Sequence, residues 1–207
     1  MSIVTYNNRS IRNISAIPGA ATSLTHIKTL TASSSSTLSF VDGSSDVVLD
    51  STYPIYLFRF INIHPATDNV KFGINFSADS GSNYNTTKTT TQAPRAIHSE
   101  GGADGQVGSN TAEDLAQGTG DHYLHPNLGS GNDECSSGYL HLFNPSSTTF
   151  VKHFIASYQG YSSDNYSQVY HTAGYNNTTS AIDAVRFQFT SGNIDAGTIK
   201  LYGIKDS

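Results

Sequence analysis

The chain has 207 residues, a normal size for one β-sandwich or barrel, and can bury roughly 70% of the surface its unfolded form exposes. Hydrophobic residues make up 36% and charged residues 13%, yet aromatics reach 11% and the rest is rich in Ser, Thr, Asn and Gly; this excludes a charge-rich disordered polymer and fits many strands joined by many turns. A net charge of −5 with 11 scattered Lys and Arg leaves no basic stripe for phosphates, so nucleic acid is not an expected partner.

Residues 1–22 carry isolated apolar points at Ile3, Tyr6, Ile11, Ile14 and Ile17 and close on Pro18-Gly19-Ala20. Such a stretch cannot build its own core, and reads as a flexible N-terminal arm, either frayed or folding against a partner. The segment MSIVTYNNRSIRNIS lacks the apolar run of a signal peptide, and nowhere do 18 apolar residues follow one another. The expectation is synthesis in a cytoplasm, a soluble product and no membrane partner. Cys135 is the only cysteine, which rules out an intrachain disulfide.

From residue 23 onward one domain is expected. Thr25–Leu30 and Thr37–Val41 are Thr-rich β-type runs, and Val47–Leu49 adds a short strand. Tyr53–Ile63 is apolar on both faces, with Tyr53, Ile55, Leu57 and Ile61 on one and Tyr56, Phe58 and Phe60 on the other, so it is expected between layers or under a neighbouring subunit. Tyr56, Phe58 and Phe60 are therefore candidate assembly contacts, together with Tyr6, Ile11, Ile14 and Ile17 of the arm. Val70, Phe72, Ile74 and Phe76 alternate with Lys71, Gly73 and Asn75 as a half-buried strand, and Tyr84–Gln92 reads as a polar edge strand.

Residues 93–137 hold much of the glycine and read as one long irregular loop insertion with a single helical turn over Thr111–Gln117. Five strands are predicted after it, over 139–143, 149–158, 166–173, 184–190 and 197–204, separated by Asn, Gly, Pro and Ser clusters. The sum is an all-β fold, a jelly-roll-like antiparallel β-sandwich crossed by one long insertion.

Eight histidines are present, and His122 and His125 lie three apart beside Asp121. With one thiol available, a zinc site is not expected. Asp104, Asp121, Asp133 and Glu134 sit in or near Gly-rich loops of the type that bind calcium, but no EF-hand pattern accompanies them, and a solvated turn is the expected reading. The adjacent pairs Glu113-Asp114 and Asp133-Glu134 point apart in the usual strand or turn, and no nucleophile elbow, P-loop or dinucleotide fingerprint appears. No cofactor and no catalysis are expected. Tyr158, Tyr161, Tyr166, Tyr170 and Tyr175 cluster around one hairpin as a candidate recognition surface, since tyrosine offers large contact area at low entropy cost.

Four segments carry a resemblance: FINIHPATDN over 60–69, FNPSSTTFVKHF over 143–154, AGYNNTTSAI over 173–182 and SGNIDAGTIKLYGI over 191–204. From about Thr25 to the last residue the chain resembles a family of short β-rich virion structural proteins of marine tailed phages, including cyanophages. The resemblance implies a place on the virion surface, as a capsid decoration (cement) protein or at a fibre tip. Under the first role the partners are the major capsid protein lattice and the chain itself, as a homotrimer on the capsid exterior. Under the second the partner is a host surface glycan.

Overall fold

The computed structural model describes residues 23–205, and almost all of its regular structure is strand. Residues 1–22, with Tyr6, Ile11, Ile14 and Ile17, lie outside the described residues. Thirteen strands follow in chain order: β1 (Leu24–Thr31), β2 (Leu38–Val41), β3 (Ile55–Pro65), β4 (Val70–Ser77), β5 (Thr89–Gln92), β6 (Pro94–Ser99), β7 (Gly105–Ser109), β8 (His122–Leu128), β9 (Ser136–Phe143), β10 (Lys152–Tyr161), β11 (Tyr166–Asn176), β12 (Ala184–Phe189) and β13 (Ile194–Ile204). The large sheet runs β1-β13-β3-β9-β10-β11-β6-β7, with β5 also pairing β11; the small sheet runs β2-β12-β4-β8. Every pairing is antiparallel.

The connectivity is that of a jelly roll. The chain alternates between sheets through β1, β2, β3 and β4, visits the edge of the large sheet for β5–β7, comes back to the small sheet for β8, crosses again for β9, and alternates through β12 and β13. Setting aside β5–β7 and the hairpin β10–β11 leaves two four-stranded sheets, β1-β13-β3-β9 and β2-β12-β4-β8, each interleaving early and late strands as two Greek keys do. The extra strands all add to one side of the large sheet and widen it.

The stretch 93–137, expected as irregular, contains β6, β7 and β8. Its glycines do not break β7, a wholly exposed strand of sequence GQVGS at the sheet edge. The predicted helical turn is a 3-10 turn over Thr111–Glu113 only. Val47–Leu49 forms no strand, although Val47 and Leu49 are buried in the core. Of the edge strand foreseen over Tyr84–Gln92, only β5 is regular.

Inner faces of the two sheets close on an aromatic layer. Phe58 and Phe60 of β3 meet Phe187 of β12 at ring-centroid distances of 5.5 and 5.1 Å, and Phe72 of β4 stacks on the same ring at 6.1 Å. Tyr56, Phe58 and Phe60 are buried to within 2% of full, which corrects their expected role: they hold the sandwich together and are sealed from any neighbour. The outward face of β3 carries Leu57, exposed Arg59 and exposed Ile61. A strand with two apolar faces turns the bulkier aromatic set inward and leaves the face that includes a cation in solvent, where the charge costs least.

Lys152, the first residue of β10, is fully buried. Its Nζ donates to the carbonyl oxygens of Thr178 (3.1 Å) and Ser180, tying the β11–β12 connection to the hairpin. Burial pulls its pKa below the ordinary lysine value. Replacement by alanine leaves a cavity and two carbonyls without a donor, so Lys152→Ala is expected to cost about 2–4 kcal/mol. Lys152→Met, which keeps the volume, should cost less. A urea midpoint unchanged in Lys152→Ala would show that the contact contributes nothing.

Candidate interaction surface

The outer faces of the two sheets differ in chemistry. On the small sheet, Asp121 accepts from Asn75 Nδ2 (3.1 Å), Gln188 Nε2 (2.6 Å) and Arg186 Nη2 (3.3 Å), and Lys71 Nζ donates to Glu113 at 2.8 Å. The Arg186 guanidinium also lies 4.5 Å from the Tyr84 ring centroid. These polar groups pair largely with one another, with the buried Arg186 Nε left without a partner among the described residues.

The large sheet presents something else. Its register aligns outward residues in rows across the strands. One row reads His26–Tyr202–Leu57–His141–Ile155–Ala173–Gln92, each residue opposite the next. The row beside it reads Leu24–Ile204–Ile55–Phe143 and continues as His153–Tyr175–Thr90. None of these fourteen positions is Asp, Glu, Lys or Arg. Ile155 is 52% and Leu24 39% exposed. Rings pair within the band, His26 edge-on to Tyr202 at 5.3 Å and His141 stacked on Phe143 at 6.3 Å. Charge returns in the following row, where Lys200 faces Arg59 and Arg59 faces Tyr139. Near β5 the band deepens into an open groove of about 440 Å³ walled by Thr90, Gln92, His153, Ile155, Ala173 and Tyr175.

The five tyrosines proposed as one recognition surface separate. Tyr158 and Tyr170 are 1% exposed and point into the core, which corrects their assignment: β10 and β11 alternate inward and outward, and both residues fall on the inward phase. Tyr161, Tyr166 and Tyr175 are half-buried. Tyr175 joins the apolar groove. Tyr161 lines a second, polar hollow of about 250 Å³ with His98, Glu100, Gln159 and Ser167, and its hydroxyl donates to Glu100 Oε2 at 2.7 Å. That bond to a carboxylate holds the phenol's pKa up at about 12.

His122 and His125 turn into the core. A bulge in the β4–β8 pairing, where Phe72 faces His125 and Gly73 faces Tyr123, turns both rings to the core side of β8. They are fully buried, His122 against Phe154 and His125 against Tyr158 and Tyr170. All four ring nitrogens lack a hydrogen-bond partner among the described residues. Among those residues no group of three His, Cys, Asp or Glu converges on a cation position. Glu134 instead accepts from the backbone N–H of Gly131 within its own loop, and Ser130 N donates to Asp68 (3.2 Å).

No family model, curated protein or solved structure matches the chain. Among the described residues, no helix is long and apolar enough to cross a membrane.

Proposed function

We propose that the chain is a virion surface protein of a tailed phage that decorates and cements the head lattice, acting by contact and not by catalysis. The observation that carries the reading is the uncharged aromatic band across the large sheet, set against the internally paired polar face of the small one. A sandwich with one such face is suited to being covered by protein. The resemblance of four segments to phage virion proteins supports the location. The most strongly perturbed imidazoles, those of His122 and His125, are sealed in the core, away from any substrate. On the capsid exterior the protein binds the major capsid protein lattice and its own copies, as a homotrimer, and adds buried interface that exists only in the assembled state, so assembly is stabilised by mass action. Particles that lack it should release DNA at a lower temperature than complete ones; equal heat stability removes the cement role.

A second reading has its own observation. The hollow formed by Tyr161, Glu100, Gln159, Ser167 and His98 combines a ring edge with a carboxylate, an amide and a hydroxyl, groups that match sugar hydroxyls. It supports a receptor-binding tip of a tail fibre that recognises a host surface glycan. Antibody labelling separates the two, with signal over the head for cement and at the tail for recognition.

A further inference from the structure

A strand at the edge of a sheet presents bare N–H and C=O groups, and it is a template for another strand unless something blunts it. Most edges among the described residues are blunted. β1 carries Lys28 and a bulge between His26 and Lys28. β2 is only four residues long. β8 contains Pro126 and shifts register against β4. The outer side of β5 is taken up by a loop: Thr89 and Gly118 exchange bonds of 2.7 and 3.1 Å, and Thr91 N donates to the Leu115 carbonyl at 2.9 Å.

β7, at the end of the large sheet, carries none of these devices. Gly105–Ser109 holds no charge and no proline, keeps unbroken register with β6, and is exposed throughout, with Val107 at 88%. Among the described residues nothing pairs with its outer side. The register tells which groups lie there. Asn110 N donates to the Ala93 carbonyl at 3.1 Å, and Ser99 N donates to the Asp104 carbonyl at 2.8 Å. Hydrogen-bonded and non-bonded pairs alternate along an antiparallel ladder, so Gly108 and Gln106 turn their backbone groups toward β6. Gly105, Val107 and Ser109 turn theirs outward. Pro94, which has no N–H to give, faces Ser109 at a non-bonded pair, as this phase requires.

These three outward residues complement themselves. A two-fold axis through Val107 sets Val107 against its counterpart and Gly105 against Ser109 of the copy. Each of these pairs exchanges two bonds, about six in all. The one charged residue flanking the seam, Asp104, then faces Asn110 of the copy, so no like charges meet.

We propose that β7 pairs with β7 of a second copy about a two-fold axis at Val107, joining two large sheets into one. The seam is about 17 Å long and buries far less than the ~800 Å² per partner of a stable dimer. Free chains therefore form it transiently, and copies held side by side, at effective concentrations of order millimolar, form it fully. A two-fold axis is distinct from the three-fold axis of a homotrimer, so the seam would link one trimer to the next. The inference does not rest on the virion reading. It is tested on the purified chain, so its failure is separate from a failure of the particle experiments.

Cysteine linking by oxidised glutathione, in a Cys135→Ser background, reads the register. A hydrogen-bonded antiparallel pair sets its Cα atoms about 5.5 Å apart, within the span of a disulfide. Residue 105 faces residue 109 of the copy and lies about 13 Å along the strand from residue 105 of the copy. A Cβ at Gly105 meets the exposed His98 ring at 3.3 Å, which can yield. Chains with Gly105→Cys or Ser109→Cys should link slowly alone and about tenfold faster when mixed. Equal rates alone and mixed, or no product, overturn the proposal. Val107→Pro removes the outward N–H at the axis and spares the β6 ladder, so it should keep the melting temperature and abolish the advantage of mixing. Val107→Lys, which sets two like charges face to face, should also abolish it. An advantage that survives both substitutions overturns the proposal.

Discussion

Acidification from pH 7 to pH 4 is expected to remove about 6 kcal/mol of stability, and His122 and His125 are the cause. Both rings are buried in the apolar layer between the sheets, and burial lowers each pKa from 6.5 to about 4. For His125 the backbone of Pro126 and Gly160 lies near enough to favour the charged form slightly, but not in hydrogen-bonding geometry. The groups packed against the rings are Phe154 for one and the Tyr158 and Tyr170 phenols for the other, and Tyr170 in turn accepts from Arg95 at 3.2 Å. No ion pair among the described residues links either ring to a carboxylate that could compensate a positive charge. The folded state therefore keeps both rings neutral, while the unfolded chain takes up protons once the pH falls below 6.5. Stability is whole above pH 6.5, declines through the interval down to about pH 4, and stops declining on this account below it. Each ring contributes about 3 kcal/mol, and two together rival the net stability of a typical domain. Asp79, held down at about 2 by Ser77 and Asn83, loses its contribution only at lower pH, so the two processes occupy different windows. The check is denaturant unfolding at successive pH values for the parent, His122→Leu and His125→Leu. Each variant should flatten the decline between pH 6.5 and 4 by about half; parallel curves for all three proteins would refute the assignment.

Phe187→Ala is expected to be the most damaging single substitution on the small sheet, at about 3–5 kcal/mol. Phe187 is fully buried and contacts Phe40, Phe58, Phe60 and Phe72, so its ring joins β2, β3, β4 and β12. Removing it opens a cavity where the two sheets meet and loses four aromatic ring pairs at once. For a chain of this length the melting temperature should fall by roughly 6–20 °C. Phe150, by contrast, is 70% exposed, and Phe150→Ala should change stability by less than about 0.5 kcal/mol. Calorimetry of the two variants side by side tests the assignment, and similar melting temperatures would mean that the sheets are held together elsewhere.

Much of the fold was legible in the sequence because alternation is a local signal. The runs that became β4, β12 and β13 could be read from period-two patterning, β3 from its unbroken apolar run, and β10 and β11 from the turn residues that bound them. Which face of a doubly apolar strand lies inside is a tertiary question. For β3 the deciding signal was Arg59: a charge on the face with Leu57 and Ile61 marks that face as the outer one, and with it the buried place of Tyr56, Phe58 and Phe60. The same parity test applied to the hairpin separates Tyr158 and Tyr170, on the inward phase of their strands, from the outward Tyr161 and Tyr175. β8 was hidden for a different reason. Its sequence HYLHPNL contains a bulge that breaks the alternation, so two inward histidines appeared as a loop pair. The outer band was not legible at all, because its fourteen positions come from seven strands and become neighbours only through the register of the sheet.

The position of β13 has a consequence for how the chain is made. This last strand lies between β1 and β3, with Ile199 opposite Leu30 on one side and Phe60 on the other. Until residues 194–204 have left the ribosome, the two earliest strands of the large sheet have no bridge and β3 keeps a bare, strongly apolar edge. Folding of the large sheet is therefore expected to wait until residues 194–204 are available, and a chain that lacks them is a natural client for chaperones that bind exposed hydrophobic strands.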